Sequence, residues 1–164
     1  MNTYDWALDI LTTTPTLLGA ALGPVPSDAW EARPSPDTWS IQQVLGHLLQ
    51  AESAVIAERV RRMVREENPT FGSAPSIAIP SEPSALLEAW RAARADSLTM
   101  LRALTAEQFT RTGQHPRYGQ ITVREHVIEW AYHDLDHLRQ ILGVLQSVLY
   151  PEIGAFQALY PKPS

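Results

Sequence analysis

Apolar residues recur at helical spacing in four long segments, and proline-rich stretches separate them. An amphipathic helix repeats its apolar positions at i, i+3, i+4 and i+7. Thr3 to Leu22 does so with Trp6, Ile10, Leu17, Leu18 and Ala21 on one side. Pro15 lies inside this segment and predicts a kink or a delayed start. The second segment opens at Ser40, where Ser40-x-x-Gln43 reads as a capping box. It runs to about Glu67, with Ile41, Val44, Leu45, Leu48, Val55 and Ile56 inward. The third runs from about Ser81 to Leu104 through Leu86, Leu87, Trp90, Leu98 and Leu101. The fourth opens at a second capping box, Thr122-x-x-Glu125, and ends near Leu149 ahead of Pro151.

Strand patterns are nearly absent. "RYGQIT" predicts a short extended loop and nothing more, and there is no internal repeat. The segments predict an all-α protein, a four-helix bundle formed as one domain over residues 1–164. The connections before the second and third segments are long. At least one must cross the bundle, which argues against simple up-down-up-down order.

Composition changes this picture little. Hydrophobic residues make up 45 % and charged residues 19 %, which suits a globular chain rather than a disordered one. The net charge of −5 gives no attraction to phosphate backbones, so nucleic acid is not an expected partner. Arg59, Arg61, Arg62 and Arg65 alternate with Glu58, Glu66 and Glu67 and read as a solvated helix face. The chain has no cysteine, which removes disulfides, protein thiolates and sulfur ligands and fits a cytoplasmic location. No run is long and apolar enough for a membrane span, and no signal peptide is recognisable.

The fourth segment contains "HVIEWAYHDLDHLRQIL", with three of the chain's five histidines. At the helical angle His126, His133 and His137 fall within about 40° of one another, beside the apolar stripe. His133 and His137 are i and i+4, so their rings can meet on one ion. Such pairs are common on helix edges and mostly bind nothing. His47, in "SIQQVLGHLLQAE", changes the balance, because it sits beside the stripe of a second helix. Three neutral imidazoles plus water describe an open, catalytic-type site. Zinc is the first expectation, with nickel, iron or manganese as alternatives. Two acids, Asp134 and Glu52, fall near the middle of apolar stripes, where a carboxylate needs a partner. Two readings stand side by side. They fix the second nitrogen of a metal-bound histidine, or they form a salt bridge within the bundle, with Arg59 on the face of Glu52.

The stretches "DTWSIQQVLGHLLQAE" and "HPRYGQITVREHVIEWAYHDLDHLRQIL" resemble the DinB-like superfamily, which includes the YfiT-like metal-dependent hydrolases. The first is similar to the family's Trp-Ser opening of helix two with its His-Leu. The second is similar to its His-Pro…Gly loop and the following helix with His-x-x-x-His and a trailing Gln. Order and spacing agree over nearly the whole chain. The resemblance implies up-down-down-up topology with a long crossover connection, often in a homodimer. Apolar residues on segments one and three that one stripe does not bury support the dimer. It also implies a metal held by His47, His133 and His137. His126 matches no ligand position and is expected to line the pocket or sit behind a ligand, while His115 belongs to a surface loop.

The activities of the family include transfer or isomerisation with low-molecular-weight thiols such as bacillithiol and mycothiol. The expected function is a metal-dependent transferase that activates such a thiol cosubstrate against a small electrophile. The alternatives are a hydrolase using activated water, with Asp134, Glu52 or Glu129 as candidate catalytic carboxylates, and a non-catalytic metal- or ligand-binding stress-response protein. "HDLDH" is superficially similar to a metalloprotease motif, but aspartate is shorter than that motif's glutamate. The electrophile is expected along His126, Trp130 and Gln140 on one side and Val44, Ala51 and Val55 on the other.

Overall fold

The computed structural model describes residues 2–163. Helix α1 spans Thr3–Leu22, and the Asn2 side chain accepts from the Tyr4 N–H at its start. Pro15 lies within α1 and neither delays nor splits it. Its ring nitrogen has no hydrogen to give the Leu11 carbonyl four residues earlier. That carbonyl instead accepts from Arg94 Nη1 at 3.1 Å. The proline thus frees one backbone acceptor for a buried guanidinium.

The second rod differs from the uninterrupted α-helix predicted for it. α2 (Ile41–Gln50) passes into a π-helical stretch, Ala51–Ile56, and then into α3 (Ala57–Arg65). The backbone stays right-handed helical through both junctions, so the three pieces form one continuous rod. A π turn holds more residues than an α turn and re-aims the side chains after it; such stretches often occur at functional sites. α4 covers Pro83–Arg102, two residues inside each predicted end, with proline in the first turn, where no N–H is needed. α5 runs Val123–Leu149. Both predicted capping boxes are present, at Ser40 with Gln43 and at Thr122 with Glu125.

The contacts fix the topology. Tyr4 Oη donates to the Leu101 carbonyl and Arg94 reaches Leu11, so α1 and α4 are antiparallel. Ile41 and Leu45 pack with Leu86 and Ile141, whereas Val60 and Met63 pack with Leu101 and Val123. The α2–α3 rod therefore runs parallel to α4 and antiparallel to α5. The order is up-down-down-up, as the resemblance implied, and residues 66–82 must travel back along the rod they leave. Phe71 N donates to the Gln114 carbonyl near the bottom of the rod. Gln50 then holds Pro75 and Ile77, and Gln42 holds the Pro80 and Ser81 carbonyls at the top.

The stretch predicted as an extended loop is a β-hairpin. β1 (Thr112–His115) pairs antiparallel with β2 (Gly119–Thr122), from Thr112 opposite Thr122 to His115 opposite Gly119. Gly119 has φ +75°, a conformation that favours glycine. His115 Nδ1 accepts from the Arg117 and Tyr118 N–H groups, so this histidine shapes the turn. Gly113 lies so close to the Phe71 ring and Met63 that a Cβ there would stand 2.5 to 2.9 Å from them. This close approach lets the hairpin seal the bottom of the bundle.

The core falls into two apolar clusters. One contains Leu11, Val60, Met63, Leu101, Val127 and Trp130, and the other Leu18, Leu45, Leu86, Trp90 and Ile141. A polar layer lies between them. Arg94, 1 % exposed, donates through Nε and Nη2 to Glu52 and through Nη1 and Nη2 to Asp134, at 2.6 to 3.0 Å. Trp130 Nε1 also donates to Glu52, and the indoles of Trp90 and Trp130 sit 5.1 and 5.5 Å from the guanidinium carbon. One arginine therefore ties all four rods together.

Candidate metal centre

His47 stands two turns into α2, and His133 and His137 stand one turn apart on the facing side of α5. Their three rings meet in the groove between these helices. His133 Nε2 lies 3.1 Å from His47 Nε2 and 3.1 Å from His137 Nε2. One nitrogen from each of the three lies within 4.8 Å of the others. A tetrahedral ion with Zn–N bonds near 2.05 Å would hold its ligand nitrogens about 3.3 Å apart. The spacing suits such an ion closely.

The protonation pattern suits it too. His137 Nδ1 is 2.9 Å from Gln140 Oε1, an oxygen that can only accept, so Nδ1 carries the proton and Nε2 keeps its lone pair. Burial, and then the neighbouring His137 and His47, push His133 down to about 4. Burial also lowers His47. Neutral imidazoles are the form a metal requires. His133 Nδ1 is buried with no partner.

Of the sequence candidates, His47, His133 and His137 come together. Glu52 and Asp134 do not join them. Neither carboxylate bonds to a histidine, and both are held by Arg94. The salt-bridge reading describes their contacts, with the partner corrected from Arg59 to Arg94. Sequence pattern missed Arg94, although its place one turn after Trp90 on the buried face of α4 was a usable signal. Gln140 fixes the second nitrogen of His137, the task considered for the acids. Glu129 is 55 % exposed and lies 3.5 Å from His126 Nδ1.

Of the residues expected to line the electrophile pocket, Gln140 lines an open cavity beside His137 and Val55 lines a smaller one near Arg59 and Phe71. Trp130 and Val44 are core residues, and Trp130 is turned to Glu52. His126 is 5 % exposed and does not line the cavity beside His137. The open cavity, about 950 Å³, lies at the other end of the cluster, against His137, Gln140, Val144 and Trp39. Its far wall is the C-terminal turn Tyr150–Ala158 and the tail after it. Trp39 leans on His47 at 5.1 Å between ring centres and lies nearly parallel to His137 at 6.2 Å.

His126 has a thermodynamic consequence of its own. Burial, with Arg59 and His115 nearby, pushes it down to about 3, and its Nε2 is buried without a partner. Unfolded, an imidazole titrates near 6.5, so below that pH the unfolded chain takes up the proton first. Stability is full above about pH 6.5 and falls as pH drops toward 3, by up to ~1.4 kcal/mol per pH unit for this group. His126→Leu should flatten the stability curve between pH 6 and 4 in denaturant unfolding of chelator-treated protein. A curve as steep as wild type would show that His126 protonates freely in the fold.

Comparison with known proteins gives a family model, the DinB superfamily, matching residues 10–141. No curated protein matches significantly. Several solved structures share the fold, among them the following three. YfiT from Bacillus subtilis, described as a probable metal-dependent hydrolase with an unusual four-helix bundle topology, superposes with a TM-score of 0.76 at 21 % identity, covering 86 % of this chain and 85 % of YfiT. TT2238, a four-helix bundle protein, gives 0.60 at 24 % identity over 85 % and 98 % of the two chains. A conserved protein from Enterococcus faecalis gives 0.66 at 11 % identity over 89 % and 96 %.

Proposed function

The chain belongs to the DinB superfamily, and from that premise we propose that it is a metal-dependent transferase that activates a low-molecular-weight thiol for attack on a small electrophile. The observation that carries this reading is the convergence of three Nε2 atoms, with His137 of the trio lining an open cavity. A divalent ion such as zinc, held by His47, His133 and His137, would lower the pKa of a coordinated thiol or water. The chain's residues supply the rest. Gln140 holds the His137 tautomer, and Trp39 covers one side of the ring cluster. The cosubstrate supplies the sulfur, since the chain has none outside methionine. The thiol proton leaves to solvent, the sulfur–carbon bond forms, and the electrophile's leaving group departs.

Hydrolysis is the second reading, favoured by the description of YfiT. It asks for a base that can reach water at the cluster. Arg94 occupies Glu52 and Asp134, which leaves Glu129 as the candidate among the three carboxylates named from the sequence. Metal-loaded protein should consume 1-chloro-2,4-dinitrobenzene with bacillithiol, mycothiol, glutathione or coenzyme A, and apo protein should not. Metal-dependent ester cleavage without any thiol-dependent consumption would replace the transferase with the hydrolase. Loss of both reactions would leave the non-catalytic binding protein.

The chain is further proposed to form a homodimer. Trp6 and Leu17 on α1 and Leu135 and Leu142 on α5 are 43 to 52 % exposed, and α1 and α5 are neighbours in the bundle. Burying such a face removes apolar area from water. Light scattering should give twice the 18.3 kDa chain mass. A monomer at micromolar concentration would contradict this.

A further inference from the structure

The cavity beside His137 is walled by residues whose chemistry restricts what can enter. Trp39 is 45 % exposed even though its ring leans on two imidazoles, so one part of the indole stays available at the cavity wall. Tyr150 and Tyr160 add aromatic surface. The segment bearing them is fastened, because Tyr150 Oη donates to the Tyr160 carbonyl and Gln157 Nε2 to the Tyr150 carbonyl. Aromatic rings pair with other rings through offset or edge contacts.

The charges on the lining are as informative. Four surface arginines of this acidic chain, Arg61, Arg62, Arg65 and Arg91, each pair with a glutamate near them in sequence. At the cavity Arg139 pairs with Asp136 at 2.9 Å. Lys162, the only lysine in the chain, also lines the cavity and has no carboxylate within salt-bridge distance among the described residues. Asp37 is the single carboxylate on the lining.

We propose that this cavity selects a small molecule with a flat aromatic ring and an anionic group, the ring against Trp39 and the anion on Lys162. This rests on the metal reading only in taking the molecule to be the electrophile presented to the histidines; binding itself requires no metal. The chemistry at the anion is shared by carboxylates, sulfonates and phosphates.

Calorimetric titration of the full chain, as purified and after chelation, tests it with three probes. 2-Naphthoate should bind roughly two- to twelvefold tighter than its saturated analogue decahydro-2-naphthoate, the range an aromatic contact provides beyond area burial. It should bind about threefold tighter than neutral 2-naphthylmethanol, an advantage that disappears in high salt, as for an exposed ion pair. Trp39→Leu should abolish the ring preference and Trp39→Phe should keep most of it. Lys162→Gln should abolish the charge preference alone. Equal binding of the three probes, or unchanged naphthoate affinity in both Trp39→Leu and Lys162→Gln, overturns the proposal. A charge preference confined to the unchelated protein overturns the role of Lys162, because the carboxylate would then be held by the ion. Absence of metal binding in the wild type would defeat the metal reading while leaving the naphthoate ranking to decide this one.

Discussion

Arg94→Met is expected to be the most damaging single substitution in this chain, lowering unfolding free energy by about 3–5 kcal/mol. Arg94, Glu52 and Asp134 have side chains no more than 1 % exposed, and two carboxylates share one guanidinium. Removing the arginine strands two negative charges in a dry layer between two apolar clusters. It also orphans the Leu11 carbonyl, which Pro15 cannot satisfy. At roughly 2–4 °C per kcal/mol for a domain of this size, the melting temperature should fall by about 6–20 °C. Glu52→Gln should do less damage, because its amide still offers an acceptor and Arg94 keeps Asp134. Urea unfolding of the three proteins measures this. An Arg94→Met protein within about 1 kcal/mol of wild type, or one more stable than Glu52→Gln, would show that the layer is not an ion-paired tie.

His133→Ala should lower metal affinity by more than about 100-fold, since loss of a residue that merely orients a ligand already costs about 10–100-fold. His133 is the middle of the trio, 3.1 Å from each of the other two nitrogens. Without it the remaining pair, one ring on each of two helices, leaves an ion two protein ligands. His126→Ala, two turns away on α5, should keep most of the affinity. Competition against a chromogenic chelator near pH 7 compares both variants with wild type, in which His133, held down to about 4, is already deprotonated. Equal loss in His126→Ala would mean that the trio is wrongly chosen.

The bundle was legible because helical periodicity and two capping boxes are local signals, and the four rods follow them to within a few residues. The pair His133 and His137 was legible for the same reason, since i and i+4 on one helix face is geometry that sequence encodes, whereas the choice of His47 rather than His126 as the third member came from the family resemblance. The π-helical stretch Ala51–Ile56 was not, because its composition is that of an ordinary α-helix and tertiary packing decides the wider turn. The hairpin at Thr112–Thr122 was read as a loop because its pairing is sealed by Phe71 and Met63, distant in sequence. Partner choice was equally out of reach. Glu52 and Arg94 are 42 positions apart, and Arg59 shares the face of Glu52 but not its layer. The cavity was placed only in part: Gln140 on α5 lines it, but its other walls come from Trp39 before α2 and from the tail after α5. Trp39 and the tail do not show in the pattern of the helices that carry the ligands.

The central claim is that His47, His133 and His137 hold one catalytic ion. Its most direct test is titration of the chelator-treated protein with Co²⁺, followed by visible absorption and elemental analysis. The account predicts saturation at about one ion per chain with the intense bands of four-coordinate cobalt, three protein ligands and one open position, and no such bands in His133→Ala. Weak six-coordinate bands, or a His133→Ala spectrum matching wild type, would contradict it.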